Sequence, residues 1–75
     1  STSYALTKNG EVYAWGYNRY GQFGQNYGDT NAHYYPTKMQ KVSNITQISA
    51  GYYDLMMLDA DGSIWNVGYN YYYEN

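Results

Sequence analysis

His33 is the only histidine of this 75-residue sequence, so any imidazole acid–base chemistry falls to it. A general base needs a nucleophile in hydrogen-bond reach and a third group to orient it. Ser43 and Asp29 are the residues to nominate, yet no spacing ties them to His33, and a solvated loop histidine is the simpler reading. Asp54 is the other residue on which a hydrolytic site could be built, and no converging acid–base pair accompanies it. Asp59-Ala60-Asp61-Gly62-Ser63 opens like a calcium loop, but that pattern needs a Glu at its twelfth position, where Asn70 stands. Gly16, Gly21 and Gly24 lack the following helix that would present its N-terminus to a phosphate, so they make no dinucleotide fingerprint. Asn44-Ile45-Thr46 satisfies the glycosylation sequon, which matters only in a secretory host. With no cysteine, a thiolate metal site and a disulfide are both excluded. The residues point to no enzyme, no cofactor and no metal.

Tyrosine stands above background, with 13 copies. Tyr17, Tyr20, Tyr69, Tyr71 and Tyr72 follow the strand ends Trp15-Gly16 and Val67-Gly68. Tyr52 and Tyr53 lie in another turn, and Tyr27, Tyr34 and Tyr35 in a long loop. Rings carried on loops beside Asn, Gly and Ser have the composition of protein-binding surfaces: rigid contact area with adaptable polar neighbours. Tyr17, Tyr20, Tyr52, Tyr53, Tyr69, Tyr71 and Tyr72 are therefore the candidate binding residues. The competing reading is that the rings pack between repeats. A flat aromatic platform could also stack sugars.

Composition narrows the classes further. Four Lys and Arg against six Asp and Glu leave a net charge of −2, without the clustered positive field that a phosphate backbone requires. No apolar run reaches the roughly 20 residues of a membrane span. The chain opens on Ser1-Thr2-Ser3 with neither an initiating Met nor a signal-peptide core, which reads as a cut or processed edge. Its lack of Cys and wealth of Tyr, Asn and Gly suit an extracellular, cell-surface or virion-surface protein. At this length burial is marginal for a stand-alone domain.

The elements that must position these residues come in a repeat. Gly10, Gly16, Tyr17, Asn18 and Tyr20 return as Gly62, Gly68, Tyr69, Asn70 and Tyr72, each 52 residues on. A fixed interval of this size signals a repeat architecture. Residues 3–8 read as a strand, Asn9-Gly10 as a type I′ hairpin turn, and 11–15 as the return strand. In that strand Val12 and Ala14 face one way, Tyr13 and Trp15 the other, and an apolar residue set on both faces implies cover on both. Residues 16–35 are loop. Pro36 then admits only an edge strand, predicted over 37–42 with Lys38, Gln40 and Lys41 guarding the edge. Further strands are predicted over 45–50, 54–58 and 63–67, with 68–75 as closing loop. That makes six strands in meander order and no helix. The repeat also lays Asp59 to Gly62 over Thr7 to Gly10, so the calcium-like stretch reads as a hairpin turn.

Leu6-Thr7, Gly10, Val12-Tyr13, Trp15-Gly16, Asn18, Gly21-Gln22-Phe23-Gly24, Pro36-Thr37 and Ala50-Gly51 occur in the order and spacing of a known repeat. Across essentially its whole length the chain resembles the propeller repeat of the regulator of chromosome condensation family. The resemblance implies an all-β fold of antiparallel four-stranded blades, with residues 1–52 as one repeat and 53–75 as the start of a second, about one and a half blades. Gly10, Trp15, Gly16, Gly51, Gly62, Trp65 and Gly68 would be its structural positions. The chain departs from the family at Asp54, where His is usual, at Val67 in place of Trp15, and at Tyr73-Glu74-Asn75 in place of Gly21-Gln22-Phe23. One and a half blades cannot close a ring, and repeat units bury their apolar faces only against neighbours. The expected function is a non-enzymatic module that binds a protein partner or another copy of itself through Tyr-rich loops. The alternatives are a fibre or surface-layer subunit, or a fragment of a larger propeller with carbohydrate-binding or hydrolase function.

Overall fold

The computed structural model describes residues 2–16, 33–52, 54–68 and 71–74, the last four and His33 by the course of their backbone. Seven strands form two antiparallel sheets. The first contains β1 (Thr2–Leu6), β2 (Val12–Gly16) and β3 (His33–Lys38) in that order. The second contains β4 (Ile45–Ala50), β5 (Asp54–Asp59), β6 (Ile64–Gly68) and β7 (Tyr71–Glu74), again in chain order. Each strand pairs with its sequence neighbour within a sheet, the meander that short turns impose.

The 52-residue interval is structural as well as sequential. It carries β1 onto residues 54–58 of β5 and β2 onto β6. Both hairpins close in the same way. The Thr7 N–H donates to the Glu11 carbonyl (2.9 Å) and the Gly10 N–H to the Thr7 carbonyl (3.1 Å); Asp59, Ser63 and Gly62 repeat these bonds at 3.0 and 3.1 Å. Gly10 and Gly62 have φ of 82° and 88°, whereas Asn9 is not among the residues with positive φ. The expected two-residue type I′ turn is therefore a three-residue loop: a type I turn followed by a left-handed glycine bulge. A type I′ turn would need positive φ at Asn9 too, and only a residue without Cβ takes that conformation freely.

The sheets approach each other along β1 and β4. Between them lie Val12 and Ala14 from β2, Ile45 from β4, Leu55 and Met57 from β5, and Val67 from β6. Tyr4, Leu6, Ile48 and Trp65 pack around this core. Strand pairing explains the selection. Tyr4 stands opposite Ala14 and Leu6 opposite Val12, on one face of the first sheet. Met57 stands opposite Ile48 and Trp65, and Leu55 opposite Val67, on one face of the second. Period-two alternation puts each set on a single side.

Two further expectations need correction. The edge strand runs over His33–Lys38 rather than 37–42. Pro36 lies inside it, between Thr37, which pairs with Ala14, and His33, which pairs with Gly16, where the register shifts. An edge strand at an irregularity tolerates a missing N–H. Beyond Lys38 the chain leaves the edge and turns inward, burying Met39 and Val42. The Met39 N–H donates to the Val12 carbonyl (2.8 Å). The second correction concerns residues 68–75, expected as loop. Tyr71–Glu74 forms a strand on β6, starting from the pair Gly68 and Tyr71. Here the repeat diverges, because residues 69–70 alone separate β6 from β7, whereas 17–32 separate β2 from β3.

Candidate interaction surface

The strands give the molecule two ends of different character. At one end, the connector between the sheets is stitched to both hairpin turns. The Ile45 N–H donates to the Gly10 carbonyl (3.0 Å) and the Ala60 N–H to the Asn44 carbonyl (2.9 Å). A Cβ on Gly10 would lie 2.8 Å from the Asn44 Cα and 2.9 Å from the Ile45 nitrogen. Asn44, with φ of 57°, adopts the left-handed turn that its short amide side chain tolerates.

Side chains complete this end. Thr7 Oγ1 accepts from the Glu11 N–H (3.1 Å). In the second copy Asp59 does the same for Ser63 (3.0 Å) and also accepts from the Asp61 N–H (2.9 Å). Its other oxygen accepts from the Trp65 indole Nε1–H (3.0 Å). These donors, Trp65 first and the Ser63 amide next, hold the Asp59 carboxyl below its ordinary value. The stretch that opens like a calcium loop is a turn whose carboxylate is engaged by protein N–H groups. Nearby, Glu11 and Lys38 form an exposed ion pair at 3.0 Å. The hydrogen bond and charge of Glu11 raise the Lys38 ammonium above its usual value.

At the opposite end, β1 begins at Thr2, β2 ends at Gly16, β3 begins at His33, β4 ends at Ala50, β5 begins at Asp54 and β6 ends at Gly68. Tyr52 stands in the turn after β4, 86% exposed, and Tyr34 and Tyr35 on β3 are 85% and 72% exposed. Gly51 donates its N–H to the Asp54 carbonyl (2.8 Å), which tightens this turn. Just inside, burial chiefly, and the Asp54 carboxylate next, push the Tyr4 hydroxyl well above the ordinary tyrosine range, opposed by its hydrogen bond to Thr2.

Of the candidate binding residues, Tyr52 is on this end and Tyr71 and Tyr72 lie on the backbone of β7. Tyr17, Tyr20, Tyr53 and Tyr69 lie outside the described residues. Of the structural positions, Gly10, Gly16, Gly62 and Gly68 all take positive φ at hairpin turns or strand ends. Trp15 is half-buried on β2, and Trp65 packs against the core. Of the residues nominated for hydrolysis, His33 and Asp54 both stand at the tyrosine end, where β3 and β5 begin, and Ser43 does not join them. His33 is at the tyrosine end, whereas Ser43 precedes Asn44 at the turn end, so the length of β2, about 13 Å, lies between them. Asp29 is outside the described residues. No group of three or more His, Cys, Asp and Glu clusters among the described residues.

Sequence reasoning missed the outer face of the second sheet. Met56 is 47% exposed there, and with Gln47, Ser49, Leu58 and Ile64 it lines a groove of about 210 Å³. The signal was present in the unbroken run Leu55-Met56-Met57-Leu58, since a strand apolar on consecutive residues offers apolar side chains to both faces.

The model of the regulator of chromosome condensation (RCC1) repeat matches residues 9–58. The ultraviolet-B receptor UVR8 of Arabidopsis thaliana is 37% identical over 68 residues, a span covering 88% of this chain and 15% of the receptor. The E3 ubiquitin-protein ligase MYCBP2 of Danio rerio is 37% identical over 67 residues, covering 88% of this chain and 1% of the ligase. The chain thus spans a small part of either relative's length.

Proposed function

This chain belongs to the regulator of chromosome condensation repeat family, and from that premise we propose that it is a non-enzymatic protein-interaction module. Its sheets are the scaffold, and its tyrosine-bearing end is the contact surface for another protein or another copy of itself. The observation that carries this reading is the exposure of Tyr34, Tyr35 and Tyr52 on the end to which β2, β4 and β6 run out. Large rings held on rigid strand ends offer contact area at low entropy cost. Two relatives of such different description, a light receptor and a ubiquitin ligase, share this repeat with the chain, which suits a common docking scaffold rather than the seat of either activity. The same reading takes residues 1–52 and 53–75 as the repeat units and assigns Tyr17, Tyr20, Tyr53, Tyr69, Tyr71 and Tyr72 to partner contact together with Tyr52.

The test is light scattering on a sizing column across a hundredfold concentration range, for the native chain and a Tyr52→Ser, Tyr69→Ser, Tyr72→Ser variant. Reduced association with unchanged strand content by circular dichroism supports the reading. Loss of strand content in the variant would make these rings structural and overturn it.

A further inference from the structure

Asn9 alone among the asparagines of this sequence precedes a glycine. Such a pair can react with itself. A glycine nitrogen has no side chain beside it to shield it, so once deprotonated it can attack the side-chain carbonyl carbon of the asparagine before it. The two other described asparagines are poorly placed for this chemistry. Asn44 precedes the β-branched Ile45, whose N–H is committed to the Gly10 carbonyl, and Asn66 is buried and precedes the β-branched Val67. Asn9 is exposed at the tip of the first hairpin.

The fold holds the attacking atom back. Gly10 is buried, and its N–H donates to the Thr7 carbonyl at 3.1 Å, so solvent base does not reach that proton while the turn is closed. The Gly10 carbonyl accepts from the Ile45 N–H at 3.0 Å, and a Cβ on Gly10 would lie 2.8 Å from the Asn44 Cα. The hairpin is thus pinned from within by its own turn bond and from outside by the connector. The second copy puts Asp61 and Gly62 in the same place, 52 residues on, and closes with the same turn bonds. An aspartate at this position is therefore compatible with a closed hairpin.

We propose that Asn9 is a site of spontaneous deamidation gated by opening of the first hairpin, and that its isoaspartate product cannot close again against the connector. When the hairpin opens locally, the Gly10 nitrogen gives its proton to solvent base and attacks Asn9 Cγ. The bond from Cγ to Nδ2 breaks, and that nitrogen takes up a proton and leaves as ammonia. Water then opens the five-membered succinimide that remains. Cleavage between Cγ and the Gly10 nitrogen gives an ordinary main chain with an aspartate side chain. Cleavage between the main-chain carbonyl carbon of Asn9 and the Gly10 nitrogen routes the chain through Cβ and Cγ, which gives isoaspartate and one extra main-chain atom. Water enters and ammonia leaves; nothing is oxidised or reduced. The first product fits the closed turn, as Asp61 does. The second pushes Gly10 against Asn44 or breaks one of its two hydrogen bonds. The site lies at the turn end of the molecule and needs none of the tyrosine contacts proposed above.

The test incubates the native chain in mildly alkaline buffer, both folded and unfolded in guanidinium chloride. Cleavage after Glu11 releases the peptide of residues 1–11, whose amide-to-acid conversion is followed by mass spectrometry. Isoaspartate is detected by enzymatic carboxyl methylation. Asn9 should convert before the other asparagines in the unfolded chain, and about tenfold or more slowly in the folded one. Folded chain enriched in isoaspartate should unfold at a lower urea midpoint, whereas Asn9→Asp should keep the native midpoint. Equal rates in the folded and unfolded chains would overturn the proposal, because no gate would then exist. So would an Asn9 that stays intact in guanidinium, or isoaspartate-bearing chain with the native midpoint. A midpoint for Asn9→Asp as low as that of the isoaspartate-bearing chain would overturn it too, since the new charge and not the added atom would then be the cause.

Discussion

Gly10 and Gly62 are the same position of the repeat, and the structure predicts that alanine will be tolerated at one and not at the other. Both have the left-handed φ of the bulge, so an added Cβ costs about 1–2 kcal/mol at each. The loss of unfolded-state freedom returns about 0.4–1 kcal/mol. At Gly62 nothing lies within 4 Å of the new Cβ, so Gly62→Ala should cost about 1 kcal/mol or less. At Gly10 the Cβ meets the Asn44 Cα and the Ile45 nitrogen at 2.8 and 2.9 Å, both backbone atoms that no rotamer change can move. The connector must retreat, at the roughly 1–3 kcal/mol of an overpacked site. The Ile45 bond to the Gly10 carbonyl is strained with it, for about 1 kcal/mol more. Gly10→Ala should therefore cost about 2–6 kcal/mol. A chain of this length has about 4–11 kcal/mol in all. Urea unfolding followed by tryptophan fluorescence at one fixed protein concentration measures both. With a slope near 1 kcal/mol per molar, the midpoint should fall by about 1 M or less for Gly62→Ala and by about 2 M or more for Gly10→Ala. Equal shifts would refute the claim that the connector, rather than the turn itself, makes Gly10 obligatory.

Two pH effects follow from the same packing. The Asp59 carboxyl is lowered in the fold, so the stability it contributes is present above its ordinary value of 3.8 and is lost as pH falls through the folded value. Asp59→Asn should flatten the acid limb of a stability–pH curve and alter Trp65 emission, and an unchanged limb would show that Trp65 does not hold the carboxylate. Tyr4 is raised, so its contribution is complete below the ordinary value of 10.0 and is lost as pH climbs above it, when unfolding lets the phenol ionise. Tyr4→Phe should reduce the alkaline loss of stability, measured by urea midpoints between pH 9 and pH 11; an identical alkaline slope would place Tyr4 in water.

Much of this molecule was legible locally. The hairpins at Gly10 and Gly62, the strands that flank them and the family itself follow from residues within a few positions of one another. Their hydrogen bonds run from Thr7 to Gly10 and Glu11, and from Asp59 to Gly62 and Ser63, so a short stretch contains both partners. Even there, the choice between a two- and a three-residue loop depended on φ at Asn9, which Asn-Gly alone leaves open. Tyr71–Glu74 was misjudged because a tyrosine run serves a strand as well as a loop, and pairing with β6 decides between them.

What tertiary structure decided was which surface each residue meets. Lys38, Gln40 and Lys41 are the polar residues of an edge strand, yet Met39 and Val42 beside them enter the core between the two sheets. Gly10 and Gly62 hold the same position of the repeat with nearly the same φ, and Asn44 presses on Gly10 alone. The apolar residues of β2 and β5 announce that both faces want cover, but cover is supplied by a second sheet distant in sequence. The sequence by itself determined the repeat, the places of its turns and its family, because those are written in residue types and their spacing; the structure decided the turn type and which face of each sheet is buried against the other, because burial belongs to a pair of surfaces and not to either one.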